Sequence, residues 1–64
     1  MLSENLIGQT RRFSSDEAQW KCTVVALKNS HTALVKIELS DEIKTTEYVV
    51  SWSAGELADH GFTV

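Results

Sequence analysis

Three segments of the chain alternate apolar residues with polar ones at a period of two, and the chain contains no proline that would interrupt them. Residues 20–27, 33–39 and 45–52 carry this pattern. A period of two is typical of β-strands, because successive side chains of a strand point to opposite faces. Polar residues follow the first two segments, at 28–32 and from Ser40 onward, and favour turns. The sequence therefore predicts three antiparallel strands joined as a meander.

A short helix is predicted after the third strand. Ser53 and Glu56 have the spacing of a capping box, in which each side chain accepts a hydrogen bond from the other residue's backbone N–H. Gly61 stands where a left-handed residue ends a helix. We expect one or two helical turns with Leu57 pointing inward, followed by a short closing strand at 62–64.

The first 19 residues carry weaker signals. Residues 9–13 have the length of a short strand, and Gly8 permits a sharp bend before it. Residues 14–19 are polar. We expect either a loop or a single helical turn there, since Ser14 and Glu17 repeat the capping-box spacing.

The order of these elements is a short strand, a polar loop, three meandering strands, one helical turn and a short last strand. It resembles the SH3-like small barrel, in which a one-turn helix separates the fourth and fifth strands. The resemblance covers residues 6–64 and rests on element order, because the aromatic signature of peptide-binding SH3 domains is absent. We therefore expect a single all-β domain over residues 1–64, a small SH3-like barrel of about five short antiparallel strands. The alternative is an α+β unit, with a three-stranded antiparallel sheet and a short C-terminal helix.

The sequence offers little for catalysis or for a metal. Cys22, the single cysteine, excludes an intramolecular disulfide and lies on an apolar strand face, where free cysteines are usually buried. Cys22, His31 and His60 are widely spaced and match no metal-ligand pattern. No glycine-rich phosphate loop is found, and a chain of 64 residues has little room for a small-molecule pocket. We expect a protein that is not an enzyme and that binds no cofactor or metal.

No segment approaches the roughly 20 apolar residues of a membrane span. The N-terminus has no basic segment followed by an apolar stretch, as a signal peptide would. These patterns lead us to expect a cytoplasmic protein that does not enter membranes.

The formal net charge of −3 is unevenly distributed. Residues 1–32 hold four basic and three acidic residues, whereas residues 33–64 hold two basic and six acidic ones. An acidic second half weighs against a surface that faces phosphates.

The basic residues nevertheless suggest one alternative function. Arg11 and Arg12 are adjacent and precede Phe13, and a pair of guanidinium groups beside an aromatic ring suits a phosphate or a carboxylate. With Lys21 and Lys36 they predict a modest basic stripe. The alternative function is therefore nucleic-acid binding by a small barrel.

Four aliphatic residues are expected on the second face of the sheet, opposite the core: Val25, Leu27, Leu34 and Val49. A face open to water rarely carries so many aliphatic side chains, so this patch is a candidate for docking a protein or for homo-oligomer formation. Our leading hypothesis is a non-enzymatic protein-interaction module that binds a host macromolecule through a sheet face or edge. Its small size, acidic half and lack of motifs are typical of regulators or inhibitors encoded by phages or mobile elements.

Overall fold

The computed structural model describes residues 1–64. Four antiparallel strands form one sheet in the order β1-β2-β3-β4, so each strand pairs with its neighbours in the chain. The element bounds are Glu4–Leu6 for a 3₁₀ turn, Thr10–Ser14 for β1, Gln19–Leu27 for β2, Thr32–Ser40 for β3, Thr45–Ser53 for β4 and Ala54–Asp59 for helix α1. The three strands predicted from the alternating segments are confirmed as β2, β3 and β4.

The sheet is open, with β1 and β4 at its two edges. Residues 62–64 form no strand, so the prediction of a closing strand is wrong. Phe62 is instead buried in the core, and its N–H donates to the Leu57 carbonyl at 3.0 Å. The last residues therefore pack against the sheet rather than extend it, and the SH3-like barrel is not confirmed. The fold is an open antiparallel meander with one short helix, close to the alternative arrangement but with one strand more.

The hydrophobic core lies on one face of the sheet, called here the core face; the opposite face is the outer face. The register sets Cys22 beside Ile37 and Val24 beside Val35 on the core face. The rest of the core comes from the N-terminal segment 1–7, from α1 and from the C-terminal segment 60–64, which together are called the cover. The buried residues are Leu2, Leu6, Cys22, Val24, Ala33, Val35, Ile37, Leu57 and Phe62.

A register shift between Val24 and Ala26 changes which side chains of β2 face the core. Beyond the shift, Leu27 lies opposite Ala33, which is fully buried. A β-bulge adds one residue to a strand and so reverses the alternation that follows it. Leu27 therefore packs against the core, and its expected place on the outer face is wrong.

The ends of α1 are set by the residues that the sequence identified. Ser53 Oγ accepts a hydrogen bond from the Glu56 N–H at 3.3 Å, and the Glu56 carboxylate accepts one from the Ser53 N–H at 3.3 Å. Gly61 has a φ of +86°, a conformation that glycine adopts without strain. The predicted capping box and helix stop are confirmed, and Leu57 is buried as expected.

The loop between β1 and β2 is a turn and contains no helix. Ser15, rather than Ser14, organises it, because the Ser15 hydroxyl accepts hydrogen bonds from the N–H groups of Glu17 and Ala18. The Ser15 N–H donates in turn to the Ala18 carbonyl at 2.8 Å. Of the two expectations for this segment, the loop is confirmed.

The cover is shorter than the sheet that it packs against. A nine-residue strand such as β3 is about 30 Å long, whereas a six-residue helix such as α1 is about 9 Å long. The molecule is correspondingly elongated, with extents of 38 × 17 × 15 Å. The covered half of the core face holds Val24 and Val35, which are buried; the other half holds Phe13 and Tyr48, which are 39% and 43% exposed.

The first prediction concerns the contact between α1 and the sheet. Leu57→Ala should lower the free energy of unfolding by about 2–5 kcal/mol, because a fully buried leucine is lost and a cavity remains. A domain of this size is held by only about 3–5 kcal/mol, so the variant should unfold at much lower denaturant concentration. Ile43→Ala is the matched control, since Ile43 is 90% exposed. Equal denaturation midpoints for the two variants would contradict this packing.

The loop between β3 and β4 is held by one carboxylate. Asp41 Oδ1 accepts hydrogen bonds from the N–H of Ile43 at 2.7 Å and from the N–H of Lys44 at 2.8 Å. The bonds from Lys44 and Ile43 stabilise the ionised form and hold the pKa of Asp41 below its ordinary value. This loop therefore depends on the charge of Asp41, and it sets the start of the edge strand β4.

The second prediction follows from that pKa. A carboxylate with a lowered pKa stabilises the fold above its unfolded-state pKa of about 3.9, and this contribution is lost as the pH falls through the folded-state pKa. Asp41→Asn keeps an acceptor for the turn but removes the titration. Between pH 5 and pH 2 the free energy of unfolding should fall more steeply in the wild type than in Asp41→Asn. Parallel pH profiles from urea denaturation would contradict the assignment.

Candidate functional site

An apolar cleft of about 240 Å³ lies on the core face at the point where the cover ends. Five of its six lining residues are hydrophobic, and three of the six are aromatic rings of phenylalanine or tryptophan. The lining residues are Phe13, Trp20, Cys22, Ile37, Trp52 and His60. The cleft is open to solvent on one side, and His60 is the one residue of the cover that lines it.

The register of the sheet assembles the floor of the cleft. Phe13 of β1 lies opposite Trp20 of β2, and Cys22 lies opposite Ile37 of β3. The next position on β4, opposite Ile37, is Tyr48. Two neighbouring rows on the core face therefore meet at the cleft, one of Phe13, Trp20 and Leu39 and the other of Cys22, Ile37 and Tyr48. Phe13 and Tyr48 lie on the two edge strands, and both are exposed.

The wall of the cleft is a stack of rings at the end of α1. The His60 ring lies parallel to the Trp52 ring, with 4.1 Å between centroids and 11° between planes. Phe13 meets the same His60 ring edge-on at 6.0 Å. His60 Nδ1 lies 2.7 Å from the Glu56 carbonyl oxygen. Since a carbonyl only accepts, Nδ1 carries the proton of this hydrogen bond, and it fixes the ring at the mouth of the cleft.

Cys22 forms part of the cleft floor and is only 3% exposed. Burial disfavours the thiolate and raises the pKa of the Cys22 thiol. A raised pKa leaves the sulfur protonated at neutral pH, which suits a packing role rather than a nucleophilic one.

The two adjacent arginines point to opposite faces of the sheet, as neighbours on a strand must. Arg11 lies on the core face, where its Nε donates to the Gly61 carbonyl at 2.9 Å and its guanidinium stands 5.4 Å from the centroid of the Phe62 ring. Arg12 lies on the outer face, opposite Lys21. The structure therefore does not bring Arg11 and Arg12 together as one guanidinium pair.

The outer face carries the other predicted basic residues. Lys36 Nζ lies 3.5 Å from a Glu38 carboxylate oxygen and 3.6 Å from one of Glu47, so acidic partners surround it. Arg12 and Lys21 border a larger and mostly polar depression of about 390 Å³, which Glu38 also lines. The cations of the predicted stripe are thus divided between two faces and are partly neutralised.

The predicted aliphatic patch is smaller than expected. Val25, Leu34 and Val49 are on the outer face, where Val25 and Val49 are exposed and Leu34 is half-buried. Leu27 is absent from it because of the bulge in β2. Lys36 stands opposite Val49 and interrupts the apolar surface between the strands.

No pattern in the sequence identified the cleft. Trp20 and Trp52 lie in two of the predicted strands, and both are only partly buried against the core. In the sequence, His60 was considered only as a metal ligand and was not expected beside these aromatic rings. The available signal was length: the predicted helix of one or two turns is too short to cover strands of seven or eight residues.

The candidate reactive side chains do not form a metal site. Cys22 and His60 line the same cleft, whereas His31 is exposed in the loop between β2 and β3. No group of three His, Cys, Asp or Glu side chains is placed to hold a metal ion. None of the helices has the length and apolar character needed to cross a membrane.

Comparisons with protein-family models, with curated proteins and with solved structures find no match to this chain. Its function is therefore inferred from the geometry of its own surfaces.

The third prediction concerns the thiol in the cleft floor. A thiol with a raised pKa contributes stability below the unfolded-state pKa of about 8.5, and this contribution is lost as the pH rises through the folded-state pKa. The free energy of unfolding of the wild type should therefore fall faster between pH 8 and pH 10 than that of Cys22→Ala. The variant differs from the wild type at this residue alone, so the difference between the two profiles reports on Cys22. Identical slopes would mean that Cys22 is not buried.

Proposed function

We propose that this protein is a non-enzymatic interaction module that binds another protein through the uncovered half of its core face. The observation that carries the proposal is the cleft at the end of the cover, with Phe13 and Tyr48 exposed beyond it. Aromatic side chains that remain half-exposed on a rigid sheet offer a partner a large contact area with few rotamers to fix.

The chemistry of the cleft favours binding over catalysis. The hydrogen bond of the His60 ring goes from Nδ1 to the Glu56 carbonyl and none joins it to Cys22, whose thiol burial keeps protonated, so the two are not paired as base and nucleophile. The lining offers apolar contact and few polar groups. The occupant that fits is an apolar side chain, or a short apolar segment, on the surface of a partner protein.

The exposed negative charges of the molecule favour partners whose surface around the docking site is basic. Exposed carboxylates lie on the loop and strand next to Tyr48, at Asp41, Glu42 and Glu47. These charges accelerate association with a basic surface and repel an acidic one. The proposal is therefore a regulator or inhibitor that docks on an apolar site with basic surroundings, in the style of small phage or mobile-element proteins acting on a host macromolecule.

One observation favours the alternative of nucleic-acid binding. Arg12 and Lys21 lie opposite each other and border the polar depression on the outer face. Glu38 in the same depression and the two carboxylates beside Lys36 oppose phosphate binding there. This alternative predicts strong salt dependence and sensitivity to substitution on the outer face.

The fourth prediction uses two neighbouring residues on opposite faces of β1. Phe13→Ser should abolish capture of a stoichiometric protein from lysate of the source cells, because it removes an anchor of the cleft. Arg12→Ser, the matched control, should leave capture intact. Both residues are exposed on an edge strand, and far-UV circular dichroism checks that each variant is folded.

The opposite result, in which substitutions on the outer face abolish capture and Phe13→Ser does not, would place the binding site on the outer face. If Arg12→Ser or nuclease treatment removes the captured material while Phe13→Ser does not, nucleic acid is the ligand. If the double variant Leu34→Ser, Val49→Ser abolishes capture and Phe13→Ser does not, the partner docks on the aliphatic patch of the outer face. Either result would overturn the cleft as the binding site.

A further inference from the structure

The two edges of the sheet differ in how they are protected. The β1 edge is five residues long and carries Arg11 and Arg12. Gln9, which precedes β1, holds the C-terminal segment beside this edge by two hydrogen bonds. Its Nε2 donates to the Thr63 carbonyl at 3.0 Å, and its Oε1 accepts from the Thr63 N–H at 3.0 Å. A short, charged and flanked edge resists pairing with another strand.

The β4 edge is much less protected. It is nine residues long, its pairing with β3 contains no register shift, and its only charged residue is Glu47. Its backbone from Thr45 to Trp52 makes no hydrogen bond outside the ladder with β3. A long edge strand of β-branched and aromatic residues with free N–H and C=O groups is a template for another strand.

The register shows which backbone groups of β4 are free. The Asp41 N–H donates to the Lys44 carbonyl at 3.0 Å across the loop, so these two residues face each other as a hydrogen-bonded pair. Hydrogen-bonded pairs alternate along an antiparallel ladder, which directs every second residue of β4 away from β3. The residues facing outward are Thr45, Glu47, Val49, Ser51 and Ser53, and the N–H of Ser53 is already taken by the Glu56 carboxylate.

We propose that two copies of this chain pair through their β4 strands, antiparallel and about a two-fold axis at Val49, to form one continuous eight-stranded sheet. The axis lies at the middle of the nine-residue strand, so the overlap is the longest that β4 allows. Glu47 of each copy lies opposite Ser51 of the other, and Val49 lies opposite its own counterpart. About six backbone hydrogen bonds result, from three outward-facing pairs.

The side chains favour this register over its neighbours. A shift that centres the axis on Glu47 sets two carboxylates directly opposite each other, which is unfavourable, and shortens the overlap. With the axis at Val49, the core faces of the two copies are continuous, and Tyr48 lies opposite Val50, an aromatic and β-branched pair that stabilises antiparallel sheets. The side chains of β4 therefore favour pairing with β4 of a second copy of the chain.

The fifth prediction is that the full chain is a dimer by sedimentation equilibrium at tens of micromolar. Val49→Lys should raise the dissociation constant about tenfold or more, because it sets two ammonium groups opposite each other. Val49→Pro should be monomeric, because it removes an outward N–H that β3 does not use. Val25→Lys, on the outer face of an interior strand, should remain dimeric. If Val49→Pro does not fold, the dissociation constant of Val49→Lys still tests the proposal.

Single cysteines test the register in a Cys22→Ala background. A thiol-specific reagent spanning about 5 Å should link Val49→Cys to its counterpart, and it should fail with Glu47→Cys, whose counterpart lies about four residues, or 13 Å, further along the strand. A wild type that stays monomeric at tens of micromolar, or a dimer unaffected by Val49→Lys, would overturn the proposal. Linkage at position 47 without linkage at position 49 would overturn the register.

Discussion

The packing of Leu57 and Phe62 against the sheet fixes where the core of this molecule begins and ends. Both residues are buried in one cluster with Val24, Ala33 and Val35. The capping box and the left-handed Gly61 turn the chain back immediately after β4, so the cover reaches only as far as one short helix and two terminal segments allow. The rest of the core face is left to solvent, and the aromatic cleft lies at this boundary.

The cleft and the β4 edge are two consequences of the same open topology. Closure into a barrel would have buried Phe13 and Tyr48 and would have paired β4 with another strand of the same chain. Because the C-terminal segment packs as part of the cover, the sheet retains one apolar half-face and one free edge. A protein with 64 residues and a small core gains stability whenever either surface is occupied.

The sequence predicted local structure well and the closure of the sheet poorly. Alternation located β2, β3 and β4, and the residues Ser53 and Glu56 located α1, because both signals act between near neighbours. The bulge after Val24 carried no such signal, since Val25, Ala26 and Leu27 are all compatible with either face; it moved Leu27 into the core. Phe62 could either pack into the core or pair with another strand. Contacts with residues distant in the chain decide between the two, and no local sequence pattern encodes such contacts. The cleft was missed for the same reason.

The most direct test of this account is the exposure of individual side chains in solution, measured by NMR line broadening from an inert paramagnetic gadolinium chelate. If the cover ends where we describe, the ring signals of Phe13 and Tyr48 will broaden strongly, while those of Phe62 and the methyl signals of Leu57 will stay sharp. Protection of Phe13 and Tyr48 equal to that of Phe62 would mean that the whole core face is covered, and it would contradict the account.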